Sequence, residues 1–162
     1  MRESARMDIP SQAPEAYRKL AQIDAAVAGR IDRKLLHLIK LRASQINGCA
    51  YCLAMHTHHA LEDGETVQRL MQLDAWEESP SFDERERAVL AWVEEITLIA
   101  GSGVSDEAHE GLREHFSEEE IAWLTLAAIM INSWNRLAIA SKTQCNARLF
   151  AEVGGEVAEE MV

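Results

Sequence analysis

The segment from Ile121 to Ala140 constrains the fold more than any other part of this chain. It is strongly apolar, and Ser117 with Glu120 forms a capping box just ahead of it, so the spacing predicts a long helix. Its apolar side chains cover more than one face, which requires either central burial or an interface between copies. Thr125, Asn132, Ser133, Asn135 and Arg136 interrupt the run and make it too polar for a membrane span. Buried polar groups need hydrogen-bond partners. Asn132, Asn135 and Arg136 are therefore expected to bond loops or a neighbouring subunit.

The rest of the chain reads as helices laid against that one. Pro14 fits a first helical turn, and Tyr17, Leu20, Ile23 and Val27 recur at helical spacing up to Gly29. Asp32 caps a helix from Arg33 to about Ile46, with Leu35, Leu36, Leu38, Ile39 and Ile46 as its apolar set. A helix from about Cys49 to Leu61 ends at Asp63-Gly64. Glu65 to Trp76 follows, with Val67, Leu70, Met71 and Leu73 expected inward. Ser81 with Glu84 reads as a capping box before Arg85–Ile99, and Gly101-Ser102-Gly103 as a flexible link. Ser105 or Asp106 starts a short helix to about Phe116. No alternating β-type run occurs, so the expected class is all-α, a bundle of about six to eight helices. The 162 residues suit one domain, spanning 1–162 with a core over about 14–150.

Chemistry concentrates in Cys49-Ala50-Tyr51-Cys52, followed by His56, His58 and His59. Asn47-Gly48 stops the preceding helix, so the cysteines open the next one. The first turn of a helix carries unpaired N–H groups and the positive end of the dipole, both of which favour a thiolate. On a helix Cys49 and Cys52 share a face, and His56 stands one turn beyond Cys52. This is the arrangement that lowers a thiol pKa and supports a reversible disulfide. Two other readings stand beside it. The cysteines can be buried structural side chains. Alternatively, with Cys145 and His109 or His115 completing a set, they can bind zinc. The spacing supplies no second knuckle, so no metal site and no cofactor is expected; no flavin, haem or nucleotide motif is present.

Composition narrows the partners. Twenty-seven acidic against 16 basic residues give a formal charge of −11, and no dense Lys/Arg cluster occurs, which argues against nucleic acid. Three cysteines do not make a secreted disulfide framework, and the N-terminus has no apolar run for a signal peptide. A cytoplasmic, reducing location away from membranes is expected, where a CxxC is catalytic or metal-binding more often than a static bridge.

The stretch Leu41-Arg-Ala-Ser-Gln-Ile-Asn-Gly-Cys-Ala-Tyr-Cys-Leu-Ala-Met-His-Thr, with Ile131-Asn-Ser-Trp-Asn-Arg-Leu-Ala much later, resembles the AhpD-like alkylhydroperoxidase branch of the carboxymuconolactone decarboxylase family. The resemblance covers roughly residues 14–150. It implies an all-α bundle assembled as a homotrimer or homohexamer. It also implies a thiol-dependent peroxidase or disulfide oxidoreductase, with a hydroperoxide substrate and a dithiol or protein electron donor. By position, Cys52 resembles the peroxidatic cysteine, Cys49 the resolving one, and His56 the histidine that assists proton transfer. Two positions depart from the pattern. His37 stands where the best-known members have a glutamate, and Tyr51 where a histidine is common. His37 can still serve as a base, because its unperturbed pKa of about 6.5 suits the task. A non-enzymatic redox or stress sensor, or a zinc-binding assembly protein of the same family, is the alternative.

Overall fold

The computed structural model describes residues 5–144. Among them lie nine α-helices and no strand: α1 (Ile9–Gln12), α2 (Pro14–Ala28), α3 (Arg33–Asn47), α4 (Ala50–Glu62), α5 (Val67–Gln72), α6 (Glu84–Thr97), α7 (Ile99–Ser102), α8 (Asp106–Arg113) and α9 (Glu118–Ser141). A 3₁₀ turn, Leu73–Ala75, extends α5. The all-α class holds, but the helix number exceeds the expected six to eight. The excess comes from α1 and α7, single turns too short for any periodic pattern to register. In α1, Asp8 accepts the Ser11 N–H and Pro10 sits in the first turn. In α7, the span ends at Gly103, whose φ of 73° and ψ of −157° suit glycine alone. The link expected at 101–103 is thus helical at its first two residues.

At the middle of the bundle α3 packs against α4, α6 and α9. One face of α3 joins Leu35, Leu36, Ile39 and Ala43 to Val89 and Val93 of α6 and to Leu124, Ala128 and Ile131 of α9. Its other face joins Leu38 and Leu41 to Ala60, Leu73, Trp76, Phe82 and Leu90 in a second cluster. Two apolar faces place α3 in both clusters, and α6 joins them as well, through Leu90 in the second. The long α9 buries one face and leaves Leu126, Ile129 and Ile139 exposed on another, consistent with its broad apolar coverage. Its polar interruptions find partners within the chain. Thr125 Oγ1 accepts from Trp92 Nε1 (3.0 Å), and Asn132 Nδ2 donates to Thr97 Oγ1 (2.9 Å). The Ser117–Glu120 capping box is present in full.

Two local expectations are corrected. The box ahead of α6 is Asp83 with Glu86, not Ser81 with Glu84. The Ser81 hydroxyl is already committed to Gln72 Oε1 (2.8 Å), whereas the charged Asp83 suits the positive end of the helix. Val67 and Met71 face outward, Met71 being 77% exposed. The reason is length. Thr66 caps α5 and the backbone tightens to 3₁₀ geometry at Leu73, so α5 has under two turns. Leu73 is fully buried and Leu70 packs against the second cluster.

Candidate functional site

The end of α3 sets the start of α4. Gly48 adopts a left-handed φ of 66°. Its N–H returns to the Gln45 carbonyl (3.1 Å) and that of Cys49 to the Ser44 carbonyl (3.0 Å), which is the Schellman pattern of a glycine-ended helix. This turn is bolted to α9. Asn47 Nδ2 donates to Asn132 Oδ1 and to Asn135 Oδ1, both at 2.9 Å. Asn135 Nδ2 closes the loop on Ser44 Oγ (3.0 Å), and Arg136 Nη1 donates to Asn132 Oδ1 (2.7 Å). The two motifs far apart in sequence therefore meet as one buried amide network beneath the cysteines.

Cys49 is the N-cap residue of α4, and the Cys52 N–H points to its sulfur at 3.4 Å. The two cysteines are joined as a disulfide, with Cα atoms 5.3 Å apart. Both are buried, but they face differently: Cys52 lines a cavity of about 400 Å³ and Cys49 does not. His56 lines the same cavity, one helical turn along α4. Most of the remaining wall is apolar or aromatic, from Tyr17 and Trp134, packed edge to face at 5.2 Å, with Met55 and Leu137. Ile9 and Pro10 of α1 close one side. Arg6 holds that segment down, its N–H on the Ser141 carbonyl (2.8 Å) and Nη1 on that of Ala140 (3.2 Å).

Electrostatics separates the histidines. Burial pushes His56 down to about 3, assisted by the positive charge of Lys40 and then by His59 and His37. His56 is thus a neutral imidazole in the oxidised protein. His37 lies elsewhere. Its Nε2 bonds Asp63 Oδ2 (2.7 Å), where α4 ends, and it is not part of the cavity wall. The His37 hydrogen bond, with the Arg33 guanidinium also close, holds the Asp63 carboxyl below its ordinary value. Of the four residues singled out by sequence, Cys49, Cys52 and His56 come together on α4, and His37 stands behind them.

Sequence reading missed Asp24 and Lys40, which line the cavity and pair across it from α2 and α3 (3.4 Å). One signal was present: Lys40 sits inside the buried run Leu38, Ile39, Leu41. Among the described residues no three His, Cys, Asp or Glu side chains are grouped to hold a metal ion. His109 rests against Trp92 (ring centroids 5.9 Å) and His115 is exposed, while Cys145 lies outside the described residues.

Comparison with known proteins places this geometry. Residues 12–95 match the model of the carboxymuconolactone decarboxylase family. An uncharacterized Bacillus subtilis protein, YdfG, is 41% identical over 138 residues, covering 85% of this chain and 94% of its own. A crystal structure of an Agrobacterium tumefaciens protein of unknown function, provisionally assigned as the antioxidant defence protein AhpD, superposes with a TM-score of 0.85 at 41% identity. That match covers 88% of this chain and 99% of the other. The debrominase Bmp8 shares the fold at 20% identity, with a TM-score of 0.75 over 87% of this chain and 76% of its own.

Proposed function

The chain belongs to the carboxymuconolactone decarboxylase family with an AhpD-like fold, and from that premise we propose that it is a thiol-dependent peroxidase working through the Cys49–Cys52 pair. The observation that carries the reading is the unequal placement of the two sulfurs. Cys52 opens onto a cavity shared with a neutral histidine, and Cys49 is held behind it on the helix start. In the reduced protein the Cys52 thiolate attacks the distal oxygen of a hydroperoxide. The O–O bond breaks, Cys52 becomes a sulfenic acid, and the departing alkoxide takes a proton to leave as an alcohol. Cys49 then attacks the Cys52 sulfur, expelling water and forming the disulfide. A dithiol donor, small or carried on a protein, reverses this by exchange and is itself oxidised.

The same placement suits re-reduction. An incoming thiolate reaches Cys52 through the cavity, and Cys49 is the leaving group. Its sulfur accepts the Cys52 N–H at the positive end of α4, which stabilises the leaving thiolate. Neutral His56 suits a relay, taking a proton at one ring nitrogen and giving one from the other without storing charge. His37 acts from behind, through its tie to Asp63 at the end of α4. The exposed Leu126, Ile129 and Ile139 of α9 are covered, in this reading, by further copies of the chain in a trimer or hexamer.

Sub-stoichiometric alkyl hydroperoxide added to the reduced protein tests the proposal. Wild type forms the Cys49–Cys52 disulfide, Cys52→Ser consumes no peroxide, and Cys49→Ser accumulates sulfenic acid on Cys52. Sulfenic acid on Cys49 in Cys52→Ser reverses the roles. If peroxide oxidises neither sulfur while a dithiol still exchanges with the disulfide, the protein is a disulfide reductase instead.

A further inference from the structure

We infer that Lys40 is the cation that holds Cys52 as a thiolate in the reduced protein, and that Asp24 tempers it. The inference rests on the reading of Cys52 as the reactive thiol and identifies what makes it reactive.

A thiolate facing a mainly apolar cavity is costly without a counter-charge. Three groups are positioned to supply one. The first is the start of α4, but the N–H of Cys52 itself is directed at Cys49 Sγ, so that stabilisation goes to the resolving sulfur. The second is His56. In the disulfide form it is buried and neutral, and Lys40 is the strongest charge acting on it, so it brings no standing positive charge to the cavity wall. The third is Lys40. Its side chain is 13% exposed, and it lines the cavity with Cys52 and His56. Asp24 is the acid that meets it, through a single hydrogen bond of 3.4 Å from an ammonium with three donors.

The groups that share the cavity wall with Lys40 can be taken element by element. From α2 come Asp24 and Tyr17, and from α4 Tyr51, Cys52 and His56. From α1 come only Ile9 and Pro10, and from α9 no charged side chain. Asp24 is thus the carboxylate on the cavity wall, and Cys52 is the wall's other group that becomes an anion near neutrality. The two anions share one cation. Removing Lys40 leaves the thiolate unpaired beside a carboxylate. Removing the charge of Asp24 frees Lys40 for the sulfur. The two changes must move the Cys52 thiol in opposite directions, which a general loss of packing cannot do.

The test uses full-length reduced protein carrying Cys49→Ser and Cys145→Ser, so that Cys52 alone titrates. Its midpoint is read from thiolate absorbance and from the pH dependence of alkylation by iodoacetamide. Lys40→Gln should raise the midpoint by about one unit or more, slowing alkylation about tenfold below it. Lys40→Arg should keep the parent value, and Asp24→Asn should lower it. A low parent midpoint unmoved by Lys40→Gln, or a rise in Asp24→Asn, overturns the assignment of Lys40 and leaves the peroxidase reading standing. A parent midpoint at the free-cysteine value of about 8.5 overturns both.

Discussion

The buried His56 makes the stability of the oxidised protein depend on acid in a way that one substitution should reveal. Its ring takes a proton at about 3 in the folded chain, against an ordinary 6.5. As pH falls below 6.5 the unfolded chain binds a proton that the folded chain refuses, so unfolding is favoured. The stability tied to His56 is complete above 6.5 and is lost progressively down to about 3. At about 1.4 kcal/mol per unit the full difference is about 5 kcal/mol, of which about 3 kcal/mol falls between pH 6.5 and about 4.5. That upper window is the useful one. The carboxyls of Asp8, Asp63 and Glu120 are all held below their ordinary values of 3.8, 3.8 and 4.5, so their contributions are largely intact down to about pH 4.5 and fade below it. Urea unfolding of the disulfide form at one protein concentration, at about pH 7, 5.5 and 4.5, should show wild type losing about 3 kcal/mol more than His56→Gln. Equal losses in the two proteins would refute the reasoning, because His56 would then be protonated while folded.

Other consequences follow from the same contacts. Asn47→Ala removes both donors to α9 and strands the fully buried Asn135 Oδ1, so chemical denaturation should show a loss of about 1–3 kcal/mol. Gly48→Ala meets no atom within 4 Å but must adopt φ of 66°, so it should cost about 1 kcal/mol by the same measurement. His37→Glu sets a second carboxylate against Asp63 and should lower the melting temperature at neutral pH, whereas His37→Gln, which can still donate, should lower it less. Sedimentation should find a trimer or hexamer; an 18.1 kDa monomer at micromolar concentration would leave the exposed face of α9 without its proposed cover.

What could be read from sequence was local. The capping box at Ser117, the stop at Gly48 and the cysteine pair at the start of α4 each depend on residues within a turn of one another, so spacing alone located them. Where two local solutions competed, spacing could not choose. Ser81 and Asp83 both precede a glutamate at capping distance, and Asp83 caps because the Ser81 hydroxyl is taken by Gln72, nine residues earlier. The outward turn of Val67 and Met71 has the same character. Periodicity over 65–76 assumed one continuous helix, and the tightening at Leu73 ended it early.

The chemistry of the site was partly hidden for a stronger reason. A pattern along one helix could bring Cys52 and His56 together, because both lie on α4. It could not show that Lys40 meets Asp24 or that Trp134 meets Tyr17, since those pairs form only when α2, α3 and α9 are packed. The position twelve residues before Cys49 drew attention to His37, yet α3 turns His37 toward Asp63 and puts Lys40, one turn further on, into the cavity. Less than one turn of α3 separates two ion pairs of similar burial, of which only Lys40–Asp24 lines the cavity. The consequence is chemical if Lys40 is the counter-charge proposed above, because the ionisation of Cys52 on α4 then depends on a side chain of α3. On that proposal the proton relay and the residue that supplies charge sit on different helices, α4 and α3. The asparagine network that anchors the start of α4 to α9 also anchors the end of α3, so it sets the distance between them.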